Sequence, residues 1–258
     1  MANPVSNVGY KAIQFVQELG AMGVFTADLA RAAFTPPFRF AAFVREIYKI
    51  GVLSLLIICV SALTVGMVLG LQGYHTLARF GARSSVGEVV GLSLIRELGP
   101  VLTALLLAGR AGSATAAEIG AMVASEQLNG LRMLSVDPMS FVVKPRALAT
   151  ILVTPMLTAM FILCGIYGGY FVDVSLLGGD PGAYMSGLRN SVDFHSDTEC
   201  CLLKALVFGC LLGLIATYRG FTSAPTSEGV SNATTSSVVI SSLVVLLSDY
   251  AITALWGV

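Results

Sequence analysis

An uninterrupted run of apolar residues is the feature that most limits what this chain can fold into. Between positions 50 and 78 there is no Asp, Glu, Lys or Arg. Because a helix needs about 20 apolar residues to cross the hydrocarbon of a bilayer, this run predicts a transmembrane helix. Soluble domains carry about a quarter charged residues, whereas this chain carries 12%. We therefore expect an integral membrane protein.

Further apolar segments along the chain have the length of a membrane span. The predicted spans are 50–78, 86–109, 147–172, 202–218 and 234–256. In the third, Pro155 can kink the helix. The fold prediction is an all-α polytopic membrane protein with five transmembrane helices in one domain, 1–258. Residues 1–49 are expected to be cytoplasmic or interfacial, and 50–258 to form the transmembrane region. Lys and Arg, including Arg110, are commoner in the segments that a cytoplasmic N-terminus places inside, which favours that orientation.

Two stretches before the first span have apolar residues at helical spacing. They are Val8, Ile13, Val16 and Leu19, and then Phe40, Phe43, Val44 and Ile47, with Arg39, Arg45 and Lys49 opposite the second set. An aromatic and apolar face opposite basic residues is typical of a helix lying in the membrane interface. We expect such an N-terminal interfacial helix, with Pro36 and Pro37 separating the two stretches. The alternative is a cytosolic helix packed on a partner.

Small residues recur every fourth position near the end of the second span. One set is Ala108, Gly112, Ala116 and Gly120, and its neighbour is Gly109, Ser113, Ala117 and Ala121. Each set shares one helix face, so another helix backbone can approach it closely. Tight packing within one protomer is the simpler interpretation.

A polar amphipathic segment over 118–134 joins the second and third predicted spans. Its apolar positions include Ile119, Leu128 and Leu131, whereas Glu126 and Gln127 are polar. A short amphipathic helix in this place has the right shape to dock into a groove on a soluble subunit. Any cytoplasmic loop could also form a surface helix.

Charged residues inside predicted spans need partners. A charge at mid-helix costs about 2.5–3.5 kcal/mol by insertion scales, and adjacent helical residues do not face each other. Arg96 and Glu97 are therefore each expected to have a separate partner or to face a water-filled cavity; snorkelling to the interface is the alternative. Lys204 and Asp249 are predicted either to pair within the membrane or to be buried separately.

Catalytic chemistry has no visible basis in the sequence. The two histidines, His75 and His195, belong to no recognisable serine or cysteine constellation, and no G-x-x-x-x-G-K-[ST] phosphate-binding loop occurs. If ATP is used, another chain must bind it. The chain contains no C-x-x-C spacing of the kind that binds metals, and Cys200 and Cys201 are interpreted as packing residues. With no formal net charge, the chain lacks the basic character of nucleic-acid-binding proteins.

Two blocks of sequence carry a family resemblance. RELGPVLTALLLAGRAGSATAAEIGAM begins at Arg96 and is followed by SEQLNGLRMLSVDP and by KPR at Lys144–Arg146. The second block, YRGFTSAPTSEGVSNATTSSVV, runs from Tyr218 to Val239. Both resemble the Mla-type (MlaE/YrbE) permeases, the membrane subunits of ABC transporters in the MCE phospholipid transport systems.

The resemblance implies a homodimeric permease of the bacterial inner membrane that exchanges phospholipid with a periplasmic MCE carrier and maintains outer-membrane lipid asymmetry. ATP and magnesium would belong to a partner ATPase, and a STAS-domain subunit and an MCE-domain hexamer would complete the assembly. By resemblance, the lipid-binding cavity is lined by Leu69, Leu77, Phe80, Glu97 and Leu98. The residues expected at the ATPase are Glu126, Gln127, Leu128, Leu131 and Glu228.

A proton-coupled secondary transporter is the alternative function. It would use the carboxyl groups of Glu97, Glu118 and Asp249 as relay groups. The sequence shows neither the inverted repeat nor the paired broken helices that such transporters often have. A membrane scaffold without transport activity is a third interpretation.

Overall fold

The helices are longer and more continuous than the apolar runs predict. The computed structural model describes residues 4–35 and 38–256, within which it contains helices and no strands. We number the helices α1 (Pro4–Phe34), α2 (Phe40–Ala78), α3 (Arg83–Ala124), α4 (Gln127–Met133), α5 (Met139–Leu176), α6 (Pro181–Ser191), α7 (Phe194–Phe221) and α8 (Ser227–Trp256). Pro36 and Pro37, predicted to separate two helices, lie outside the described residues.

Five of these helices, α2, α3, α5, α7 and α8, are long and apolar enough to cross a membrane. This confirms the predicted all-α polytopic architecture. The span boundaries differ, however. Helix α3 runs to Ala124 instead of ending at 109, and the segment predicted as one helix over 118–134 is divided between the end of α3 and the short α4. The division falls at Glu126, whose φ of 56° places it in the left-handed region, where helices end.

The region before the first span also differs from the prediction. Phe40–Ile47 leads into the span through a π-turn at Tyr48–Val52, so it is part of α2 and not a separate interfacial helix. Helix α1 packs through Phe25 on the end of α7, with ring centroids 5.4 Å from Tyr218 and 5.7 Å from Phe221. Its apolar side chains at Ile13, Val16, Leu19 and Val24 are exposed.

Arg110 joins the first two spans. It lies in a π-turn of α3, Ala108–Gly112, and faces the π-turn of α2. Its Nη1 donates hydrogen bonds to the backbone carbonyl of Lys49 at 2.9 Å and to the Ser54 hydroxyl at 2.6 Å. Arg110 was predicted among the cytoplasmic positions, which nothing in the structure tests. It lies inside a long helix, where its donors meet carbonyl and hydroxyl oxygens of α2.

Helices α2 and α5 cross at glycine residues, where their backbones approach each other closely. A Cβ at Gly66 would overlap the Gly165 carbonyl oxygen, and one at Gly70 would lie 2.9 Å from the Gly169 carbonyl oxygen. On α3, the set predicted from Ala108 to Gly120 is buried inside the protomer, and a Cβ at Gly220 of α7 would lie 2.9 Å from the Ala116 carbonyl. The simpler interpretation of that set is therefore correct, whereas Gly109 and Ala121 of its neighbour are exposed.

Replacing Gly66 by alanine is expected to destabilise the protein. The added methyl group meets backbone on the opposite helix, which cannot rotate away, so the two helices must separate. Overpacking of this kind typically costs about 1–3 kcal/mol. The measurement is the midpoint of thermal unfolding in detergent. The control is Gly20→Ala, since a Cβ at Gly20 has no atom within 4 Å; equal midpoints for the two variants would contradict the crossing.

Candidate functional site

A buried lysine organises a polar cluster within the transmembrane region, which we call the Lys204 network. Lys204 is 1% exposed. Its ammonium lies 3.0 Å from the carboxylates of both Glu97 on α3 and Asp249 on α8. It also donates to the Arg96 carbonyl at 2.9 Å and to the Thr253 hydroxyl at 2.8 Å. One cation thus connects three spans.

Arg96 points to a different partner. It lies next to Glu97 in the π-turn Leu94–Leu98, and its Nε donates to Asp197 at the start of α7 at 2.8 Å. Arg96 and Glu97 were predicted to have separate partners, and the structure confirms this. It also shows the Lys204–Asp249 pair, one of two alternatives. Thr253 was missed by the sequence reasoning, although its spacing of four from Asp249 places both residues on one face of α8.

The residues predicted to line a lipid cavity lie in three kinds of surroundings. Leu69, Leu77 and Leu98 are half-buried and pack against the same hydrophobic core. Glu97 belongs to the Lys204 network, with its side chain 42% exposed. Phe80 follows the end of α2 and is 80% exposed. The structure thus brings the three leucines to one core and leaves Phe80 at the surface.

A second cluster, which we call the Glu118 network, joins α2, α3 and α5. Glu118 of α3 lies 3.2 Å from the ammonium of Lys49 on α2 and 3.0 Å from the guanidinium of Arg146 on α5. Glu46 lies 3.8 Å from both cations. Arg146 is 7% exposed. A cleft of about 200 Å³ opens beside Glu46, Lys49, Arg110 and Glu118.

The carboxyl groups proposed for a proton relay are divided between these two networks. Glu97 and Asp249 share Lys204, whereas Glu118 pairs with Lys49 and Arg146. Glu97 and Glu118 are 21 positions apart on α3, which corresponds to about 31 Å along a helix. Each carboxylate is thus held by a cation, and α3 holds two separate ion pairs at well-separated positions.

The residues predicted to contact an ATPase lie in and around α4. Leu128 is only 5% exposed and packs against Ile119 and Val142, so it anchors α4 to its own protomer instead of offering a surface contact. Leu131 is half-buried against the same cluster, whereas Glu126, Gln127 and Glu228 are exposed. Two apolar side chains that sequence reasoning missed, Met133 and Leu134, are 86% and 75% exposed.

Among residues 4–35 and 38–256, no group of His, Cys, Asp and Glu could hold a metal ion. Cys200 and Cys201 are buried and carry free thiols. Asp137 lies in the loop between α4 and α5. Its burial raises the pKa of the carboxyl, but hydrogen bonds from Ser140 and Met139 outweigh this and leave the pKa below its usual value.

Comparison with known proteins covers almost the entire chain. Residues 43–255 match the family described as Permease MlaE. A Haemophilus influenzae protein named intermembrane phospholipid transport system permease protein MlaE is 46% identical, over 99% of this chain and 98% of that protein. A probable ABC transporter permease of Rickettsia felis is 38% identical, again over 99% and 98% of the two chains. Arabidopsis thaliana TRIGALACTOSYLDIACYLGLYCEROL 1, chloroplastic, is 31% identical over 81% of this chain and 60% of that protein. The chain belongs to the MlaE permease family.

Proposed function

We propose that this chain is the transmembrane permease subunit of an ATP-driven phospholipid transporter. The observation that carries the proposal is the similarity over 99% of this chain to the Haemophilus permease, whose name states intermembrane phospholipid transport. The transporter would exchange lipid between the inner membrane and a periplasmic MCE carrier and so maintain outer-membrane lipid asymmetry.

The lipid site we propose lies where polar and apolar side chains meet on α2 and α3. Leu69, Leu77 and Leu98 would contact acyl chains, and Phe80 would shield them at the surface end. Burial of acyl chains against such side chains is favourable by roughly 25 cal/mol per Å² of apolar area. Glu97 supports this assignment because it precedes Leu98 in the sequence, its side chain is 42% exposed, and Lys204 holds it in place. A lipid headgroup could then interact with a fixed charge.

We propose that α4 couples the permease to the partner ATPase. The contact would be formed by residues in and around α4, together with one residue at the start of α8. They are the exposed Glu126 and Gln127, the half-buried Leu131, the exposed apolar Met133 and Leu134, and Glu228. ATP and magnesium would be bound by that partner, and this chain would be non-catalytic. A STAS-domain subunit, an MCE-domain hexamer and a second copy of the permease would complete the assembly.

The orientation we propose places the N-terminus in the cytoplasm of a bacterium, with the protein in the inner membrane. The Glu118 network would then lie at the cytoplasmic side and the Lys204 network toward the periplasm. Its support is the distribution of basic residues along the sequence. In this proposal α1 lies along the cytoplasmic surface of the membrane. Its exposed side chains Ile13, Val16 and Leu19 would face the lipid.

The energy source tests the proposal directly. In vesicles containing the permease and its ATPase, lipid transfer should require ATP and continue when an uncoupler removes the proton gradient. The Glu97 and Glu118 carboxylates are paired with different cations at well-separated positions on α3, so no proton flux is expected. Transfer that stops with the uncoupler while ATP is present would support the proton-coupled alternative. Vesicles with the ATPase alone are the control.

A further inference from the structure

A groove on the membrane-facing surface lies outside the site proposed above. Its walls are α5 and α7, with Ile95 of α3 at one end, and its volume is about 290 Å³. The lining is almost entirely apolar. All three helices are long and apolar enough to cross a membrane, and a groove between such helices would open toward hydrocarbon.

The groove follows the direction of the lipid chains. On α5 it is lined at Pro155, Ala159 and Ile162, and on α7 at Thr198, Leu202 and Ala205. Both sets have the spacing i, i+4, i+7, which places them along one face of each helix. Seven residues correspond to about 10 Å of helix. The groove is therefore an elongated channel roughly parallel to the spans, as an extended acyl chain would be.

An ion pair lies beside one end of the groove, next in sequence to two of the residues that line it. Arg96 adjoins Ile95, and its Asp197 partner adjoins Thr198, so their ion pair bridges the two helices that carry these lining residues. Asp197 is the second residue of the α7 span, Ser196–Phe221, so this end of the groove is the one that would be nearest a lipid headgroup. The Arg96 side chain is 37% exposed. Its bond to Asp197 uses Nε, and a guanidinium has further N–H donors suited to a phosphate.

We infer that this groove binds one phospholipid of the surrounding bilayer, with an acyl chain between α5 and α7 and the phosphate at Arg96. The site is separate from the proposed cavity, whose leucines lie on α2 and α3. With the orientation proposed above, this phospholipid would belong to the outer leaflet, and that placement is the one step that rests on the orientation. The binding itself is independent of ATP-driven transport, so failure of one does not imply failure of the other.

Photo-crosslinking at two adjacent positions tests the site. Leu202 lines the groove and is 52% exposed, whereas Leu203 is 41% exposed on the same helix and does not line it. A photo-reactive residue is placed at each position in the full chain, reconstituted in vesicles of equal parts phosphatidylethanolamine and phosphatidylglycerol. After extraction of loosely bound lipid with detergent, the adduct at position 202 is expected to exceed that at 203 by about tenfold.

Two variants separate the parts of the site. Ala159→Phe fills the groove and leaves both residues of the ion pair in place. Arg96→Gln removes the positive charge that would hold the phosphate. Each is expected to lower the adduct at 202 about tenfold, equivalent to about 1.4 kcal/mol, and to leave the adduct at 203 unchanged. The Ala159 variant keeps the test valid if loss of Arg96 impairs folding.

Four results would overturn the inference. Equal lipid labelling at 202 and 203 would mean ordinary annular lipid. An unchanged adduct in the Ala159 variant would remove the acyl chain from the groove, and an unchanged adduct in a folded Arg96 variant would remove the phosphate contact. In native membranes, a protein adduct at 202 would show that the transmembrane helix of another subunit covers the groove.

Discussion

Lys204→Met is expected to destabilise the protein by about 3 kcal/mol and to abolish lipid transport. The substitution removes the cation that Glu97 and Asp249 share and leaves two carboxylates facing each other among helices. Losing one partner of a buried ion pair typically costs about 3–5 kcal/mol. We expect the lower end because the Glu97 side chain is 42% exposed, whereas that of Asp249 is 17% exposed. The midpoint of thermal unfolding in detergent measures the change, which should be on the order of 10 °C.

The matched control neutralises the carboxylates as well. A triple variant with Lys204→Met, Glu97→Gln and Asp249→Asn buries no unpaired charge and should recover most of the stability. Lipid transfer by the triple variant then separates two roles. Recovery of transfer would show that the network serves folding alone, and continued loss would show that its charges act on the lipid. A single Lys204→Met variant with unchanged stability would contradict the ion pairs.

Met133→Asp is expected to detach the partner ATPase and to stop transport without unfolding the permease. Met133 is 86% exposed at the end of α4, and surface substitutions of this kind usually change stability by less than about 0.5 kcal/mol. In an apolar contact with another subunit, however, the carboxylate would be desolvated without a partner. Binding should weaken by more than tenfold, or about 1.4 kcal/mol, as measured by copurification of the ATPase.

Met133→Leu is the control, since it keeps an apolar side chain of similar size and should retain the ATPase. Met133 is preferred to Leu131 for this test because Leu131 packs half-buried against Ile119, Leu128 and Val142. A charge at Leu131 would therefore disturb α4 itself. If Met133→Asp copurifies with as much ATPase as Met133→Leu, the exposed end of α4 does not belong to the contact.

The number and order of the spans could be predicted because apolar runs are a local signal. Their ends could not, since each end depends on distant partners. Helix α3 continues to Ala124 past Arg110 and Glu118. Read alone, two charges suggest that a span has ended. In the folded chain Arg110 bonds to carbonyl groups of α2, and Glu118 to Lys49 and Arg146, so the helix can continue.

The polar sites were predictable only in part, for the same reason. Charge inside a span indicated that Arg96 and Glu97 have separate partners, but no spacing rule identifies Asp197 or Lys204 as those partners. Leu128 shows the opposite error. An apolar residue on an amphipathic segment can face either its own protein or another subunit, and periodicity does not distinguish the two. Its burial against Ile119 and Val142 decides the question.

The glycine crossing of α2 and α5 determines which parts of the protomer can move separately. At Gly66 and Gly165 the contact is backbone against backbone, with no side chain that could change rotamer to let one helix slide past the other. We therefore expect α2 and α5 to behave as a single rigid body. Helix α5 begins at Met139, six positions after α4 ends at Met133. A displacement of α4 would reach Leu69 and Leu77 on α2 as a tilt of the whole helix pair.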